Sequence, residues 1–254
     1  MNPVRPVAVE ADGTVAVVTI GDGRRHNALG GAGWDRLARL MTEMATCETL
    51  RAVVVRGAGD TFCAGSDIAE WLDASPAEVD RSFARMEAAL RTVERCPVPV
   101  IAEIRGTAAG AGCQLALACD LRVMACTARI GMPIARLGIL PSPAFASRLT
   151  ALAGPAVARE LFYTGRLLDG PEAVRAGLVD HCVPDDAVAH HVAALLADIT
   201  RHPPAAVRAA KAAVAAGTWQ PPRAPYGLSA SYPDFTAAVA GFLRTDDQET
   251  HTPS

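Results

Sequence analysis

Two small-residue turns carry the residues of this sequence best suited to chemistry. In Gly106-Thr107-Ala108-Ala109-Gly110-Ala111-Gly112-Cys113-Gln114, glycine and alanine let the backbone turn sharply and present N–H groups unobstructed, directly before an apolar helix expected from Cys113. Such a turn can hold an oxyanion, although Gly/Ala runs also occur where a helix packs closely on a strand. Upstream, Asp60-Thr61-Phe62-Cys63-Ala64-Gly65-Ser66-Asp67-Ile68 repeats the device. A strand leads into small residues, a helix follows, and Asp67 stands where it can cap that helix.

The elements that must position these turns follow from periodicity and punctuation. Val4 to Glu10 and Thr14 to Ile20 read as a hairpin around Asp12-Gly13. Helix Trp34 to Thr46, strand Ala52 to Val55, helix Pro76 to Arg95, strand Pro99 to Ile104, helix Cys113 to Cys119 and strand Leu121 to Met124 then alternate, which implies a layered α/β core. Beyond Pro143 the pattern is almost wholly helical, with helices expected at 144–152, 155–162, 171–176, 187–200, 204–216 and 232–243. Thr218-Trp219-Gln220-Pro221-Pro222 breaks that pattern, and the polar end from Thr245 to Ser254 is expected to be disordered. No internal repeat is visible.

Bulk properties exclude several classes. A net charge of −3, with no basic helix interleaved with aromatics, argues against a nucleic-acid surface. No apolar run approaches the roughly 20 residues that span a bilayer, and Met1 to Ala11 lacks the apolar core of a signal peptide. A soluble cytoplasmic protein with no membrane partner is therefore expected. The seven cysteines are dispersed, without a C-x-x-C pair, and read as reduced packing residues, leaving no metal site. Cys63 and Cys113 flank the two turns and raise the question of a nucleophile, but no histidine lies near either in sequence to lower a thiol pKa.

Taken together, F-C-A-G-S-D-I and G-T-A-A-G-A-G-C-Q-L-A-L-A-C-D resemble the paired motifs of the crotonase, or enoyl-CoA hydratase/isomerase, superfamily. The resemblance begins at Arg24-Arg25-His26-Asn27-Ala28-Leu29, similar to the family's R-x-N-A-L segment. It continues through Cys119-Asp120-Leu121-Arg122-Val123, Leu137-Gly138-Ile139-Leu140-Pro141, Tyr163-Thr164-Gly165-Arg166, Ala173 to Asp180 and Val183-Pro184. It implies an α/β fold in which a crotonase-like spiral of ββα units, residues 1–195, is followed by a helical C-terminal region and polar tail, residues 196–254. Trimers, often paired into hexamers, are implied as well.

By that resemblance, the N–H groups of Ser66 and Ala111 bind a thioester oxygen, each donor being worth roughly 2.7–4 kcal/mol as an enolate develops. The Ser66 hydroxyl could assist there or cap the helix, and capping is the favoured reading. Family hydratases carry glutamates at positions matching Gln114 and, in Met132-Pro133-Ile134-Ala135-Arg136-Leu137-Gly138, Ile134. Neither residue can take a proton at neutral pH, and losing a general acid or base costs about 10²–10⁴-fold. Some relatives use a carboxylate matching Ser142, which could hydrogen-bond but not act as a base unaided. The family's G-x-G-G turn is replaced there by Ser142-Pro143-Ala144-Phe145, which reshapes the pocket wall.

Substrate contacts are expected from Arg25, His26 and Ala28 around coenzyme A, with a solvated basic loop as the alternative. Further contacts are expected from Ala64, Asp67, Ile68 and Trp71, and from Gly110, Pro133 and Leu140. Glu70 reads as a solvated helix residue, Glu103 and Arg105 as a structural pair, and Lys211 as a further phosphate candidate. Asp234-Phe235 to Phe242-Leu243 resembles the family's last helix, which commonly reaches a neighbouring subunit's ligand, but Arg244-Thr245-Asp246-Asp247 replaces the usual basic residues after it.

The implied function is an acyl-CoA enzyme that stabilises a thioester enolate, with isomerase- or decarboxylase-type chemistry favoured over efficient hydration. No tightly bound cofactor is implied, coenzyme A being part of the substrate. The alternatives are a catalytically silent acyl-CoA-binding protein and a hydratase with unconventional acid and base residues.

Overall fold

A computed structural model of the chain describes residues 7–216. The hairpin expected at the front is β1 (Val7–Asp12) and β2 (Val15–Ile20), antiparallel with Val7 opposite Ile20. Parallel to β2 lie β3 (Ala52–Gly57), β4 (Val100–Ile104), β6 (Leu121–Ala125) and β9 (His181–Val183), in the order β1-β2-β3-β4-β6-β9. β4, Val-Ile-Ala-Glu-Ile, is buried throughout, as a parallel strand covered on both faces must be. A smaller sheet joins β5 (Thr107–Ala109), β7 (Arg129–Gly131) and β8 (Leu167–Asp169) in the order β5-β7-β8.

Helices α1 (Gly31–Ala45), α2 (Pro76–Glu94) and α3 (Ala111–Ala118) follow successive strand segments. Behind them come α4 (Pro143–Thr164), α5 (Gly170–Arg175), α6 (Val188–Thr200) and α7 (Pro204–Ala215). Sequence signals set their starts: Ser75 and Glu78 form a capping box ahead of α2 with Pro76 in its first turn, and Asp169 and Glu172 do the same for α5. The result is a spiral. Each turn lays one strand in the large sheet, a short extended segment in the second layer, and a helix outside. Leu29 bridges Ser66 and Cys63 bridges Ala108, both in parallel, so the second layer continues through segments too short to be strands. One contiguous core runs from Val7 and Trp34 through β3 and β4 to Leu161 and Val192.

The helices expected at 144–152 and 155–162 are the two segments of α4, separated at Gly154 (φ 75°, ψ 166°) immediately before Pro155. Two expectations change. The back half is not almost wholly helical, because β8 and β9 lie within it; three residues are too few to show a period, and partner backbone on β7 and β6 defines them. The helix after Asp67 is one 3-10 turn, Ile68–Trp71. Residues 195 and 196, where the spiral was expected to end, both lie inside α6. The first residues of the expected hairpin, the break at 218–222, the helix at 232–243 and the polar end lie outside the described residues.

Candidate functional site

The two turns of the opening motifs are stitched together by backbone. The Cys63 N–H donates to the Thr107 carbonyl (2.9 Å), and the Ala109 N–H donates to the Cys63 carbonyl (3.0 Å). This approach is possible because Gly112 has no side chain: a Cβ there would lie 1.9 Å from the Cys63 carbonyl oxygen. Gly65, at φ 111°, is equally constrained, since its Cβ would stand 2.9 Å from the Ala109 oxygen and 3.1 Å from the Ala111 nitrogen. Ser66 and Ala111 are thereby placed side by side. Among the described residues no backbone or side-chain acceptor meets either N–H group, so both donors stand unpartnered.

Ser66 and Ala111 line a cavity of about 80 Å³, together with Ala64, Ile68, Trp71, Gly110, Pro133 and Ile134. Phe83 and Met86 from α2, Leu137 and Ile139 from the segment after β7, and Phe145 from α4 complete it. At roughly 30 Å³ per liquid water, the space matches a few waters or a short acyl group. Among these residues none is ionisable. The Trp71 indole N–H donates to the Ser82 hydroxyl (3.2 Å) and its ring packs 5.1 Å from Phe83. The Ser66 hydroxyl faces the Met86 sulfur (3.7 Å), and the cap expected of it is made by Asp67, whose carboxylate accepts from the Ala69 N–H (3.2 Å).

Other expected residues are distributed unevenly. Gln114 is wholly buried behind the lining, where its amide nitrogen lies 3.4 Å from the Phe145 carbonyl and its oxygen accepts from Arg148 (3.3 Å). Ser142 is outside the cavity: its hydroxyl caps α4 by accepting the Phe145 N–H (3.2 Å). Leu140 points away and is 88 % exposed, because the chain reverses at Gly138 and Ile139 takes the inward place through its N–H bond to the Ile134 carbonyl (3.2 Å).

A second cavity, about 370 Å³, lies beside Arg24, Arg25, Ala28, Asp67 and Glu70. Arg25, His26 and Asn27 all have positive φ, at 46°, 52° and 59°. The buried Asn27 side chain holds that conformation, accepting from the Gly23 N–H (2.8 Å) and donating to the Ala58 (2.9 Å) and Thr61 (2.6 Å) carbonyls. Arg25 pairs with Asp67. The contribution of His26 is its carbonyl, which accepts the Ala64 N–H (2.9 Å) and ties this loop to the first turn.

Two structural readings are corrected here. Glu70 is not simply solvated: its carboxylate accepts the Gly31 N–H (2.9 Å) at the start of α1, where an anion offsets the helix dipole. Lys211 is committed to Asp120 (2.6 Å) and the Val98 carbonyl (2.9 Å), which leaves it no free charge for a phosphate. Glu103 and Arg105 do pair, at 3.3 Å.

With this geometry in hand, comparison with known proteins is decisive. The model of the enoyl-CoA hydratase/isomerase family matches residues 10–228. The chain belongs to the enoyl-CoA hydratase/isomerase family. Among family relatives, it is 38% identical over 198 residues to the human enoyl-CoA hydratase domain-containing protein 2, mitochondrial, covering 76% of this chain and 68% of that protein. It is 32% identical over 212 residues to the short-chain-enoyl-CoA hydratase of Clostridium acetobutylicum, covering 83% and 81%. A crystal structure of an enoyl-CoA hydratase/carnithine racemase from Magnetospirillum magneticum superposes with a TM-score of 0.88 at 32% identity, covering 94% of this chain and 93% of that one.

In this family member, the cysteines beside the turns are poor nucleophiles. Burial pushes the Cys63 and Cys113 thiols up to about 12, so at neutral pH they stay protonated. Sequence reading missed Phe83 and Met86 as lining residues, whereas Phe145 stands in the segment expected to reshape the pocket wall. The only signal for the first two was the apolar stripe of α2, which any buried helix shows.

Proposed function

We propose that this protein binds a short acyl-CoA thioester, accepts its carbonyl oxygen between the Ser66 and Ala111 N–H groups, and stabilises the enolate formed there. The observation that carries this reading is the pair of unpartnered backbone donors on the wall of an apolar cavity. Charge that develops on the oxygen meets fixed dipoles with no reorganisation, which is the economical way to lower such a barrier. Coenzyme A lies along the Arg24–Asn27 loop in this reading, its phosphates near guanidinium groups.

Decarboxylation of a malonyl-type thioester fits this lining better than hydration. Breaking the C–C bond to the carboxylate sends its electron pair into the thioester as carbon dioxide leaves, so the enolate forms without a protein base. Hydration needs a group to activate water and another to protonate carbon, and neither Gln114 nor Ile134 can serve. Isomerisation needs at least one such group.

The test is a panel of malonyl-, methylmalonyl- and crotonyl-CoA incubated with the protein and resolved by mass spectrometry. Loss of carbon dioxide from a malonyl thioester is the expected result; rapid hydration of crotonyl-CoA overturns the preference. Tight binding of the whole panel without turnover identifies an acyl-CoA-binding protein instead, a reading favoured by the same non-ionisable lining.

A further inference from the structure

We propose that Gln114 is a positioning residue, which with Arg148 holds the Phe145 wall of the cavity and so sets the length of acyl group admitted. The proposal rests on the acyl-CoA reading above, but its basis is a buried network apart from the two backbone donors. Arg148, on the second turn of α4, is 9 % exposed and bridges to α2 through Glu87 (2.7 and 2.9 Å) and Glu94 (2.5 and 3.3 Å). Its remaining reach goes to the Gln114 oxygen on α3 (3.3 Å).

That contact decides which way the amide faces. With its oxygen on Arg148, the Gln114 nitrogen must point to the Phe145 carbonyl (3.4 Å) and the Met132 sulfur (3.6 Å). Phe145 lines the cavity with Trp71 and Ile134. The Phe145 carbonyl is therefore held from behind by an amide outside the cavity lining, beside the Ser142 cap and the Arg148 bridges that anchor the same end of α4.

A glutamate at position 114 would not become a base. One carboxylate oxygen would be drawn to Arg148, and the other would face the Phe145 carbonyl with no proton to donate, acceptor against acceptor. The carboxyl would stay ionised, turned from the substrate, and would push the wall it replaces a support for.

The experiment compares wild type, Q114M, Q114E and F145A as full chains. Calorimetry gives affinities for CoA, acetyl-CoA, butyryl-CoA and octanoyl-CoA. Wild type is expected to prefer the short acyl groups, and Q114M and F145A are expected to erode that preference in the same direction, by about tenfold, with affinity for CoA itself changed less than about twofold. An unchanged preference in Q114M beside an altered one in F145A overturns the proposal. So does a rise of about 100-fold in crotonyl-CoA hydration by Q114E, which would require the side chain to reach the substrate.

Hydrogen exchange on the ligand-free proteins tests the strut separately from any acyl-CoA binding. Faster exchange in Q114M and Q114E confined to residues 143–149 is expected, and unaltered exchange there overturns the proposal even if wild type binds no thioester. A wild type that binds none of the ligands, with exchange altered as expected, instead overturns the acyl-CoA reading and with it the role in chain length.

Discussion

Ala111 allows a test at the level of a single atom. It is the first residue of α3, where proline fits helical φ and its missing N–H breaks no helix bond. A111P should therefore keep the fold while deleting one of the two unpartnered donors proposed to hold the thioester oxygen, and kcat on the thioester that turns over should fall about 10²–10³-fold. Steady-state kinetics beside a thermal melt separate this from unfolding. The cysteines give a second prediction at this scale. Cys47 is exposed, and a hydrogen bond from Thr49 holds its thiol below the usual value, whereas Cys63 and Cys113 are buried and driven up to about 12. Iodoacetamide at neutral pH should label Cys47 first and leave Cys63 and Cys113 unlabelled until denaturant is added, as peptide mass mapping will show.

At the scale of elements, the site depends on two strand-turn-helix units coming within backbone contact. G112A places a methyl group against the Cys63 carbonyl, where no flexible side chain can yield. Loss of about 1–3 kcal/mol is expected, readable as a lower urea midpoint, with turnover lost in proportion beyond it because the two donors separate. The α2–α4 junction behaves differently. Arg148 holds the Glu87 carboxyl below its ordinary value of 4.5: burial alone would raise it, and the guanidinium hydrogen bonds outweigh that effect. A depressed folded-state pKa means stability that is complete above about 4.5 and drains away as pH falls through the lower folded value. E87Q should cost about 2 kcal/mol at neutral pH and flatten this acid limb, which urea titrations at neutral pH and below pH ~4 will measure.

For the whole molecule, the legible and the illegible divide by the range of the interactions involved. The front hairpin, α1 to α3 and the parallel strands β3, β4 and β6 were readable because local pattern and packing agree: Ala52-Val53-Val54-Val55 is buried in full, and the Ser75/Glu78 box announces α2. β8 and β9 were not readable, since Leu167–Asp169 and His181–Val183 owe their conformation to β7 and β6. The same holds within the site. Ser66 and Ala111 stand in motifs with a local signature, while Phe83 and Met86 reach the cavity from α2, and nothing near them in sequence announces it.

The sequence by itself determined the family, the order of elements and the two turns whose N–H groups can face a ligand, because glycine conformations and helix starts are properties of neighbouring residues. Only the tertiary structure decided what surrounds those donors. It put Ile139 rather than Leu140 inside, gave Ser142 to a helix cap and Lys211 to Asp120, and drew Glu87, Glu94 and Arg148 around Gln114. Those outcomes are settled by which buried polar groups must find partners across the fold, and that accounting involves residues far apart in the chain.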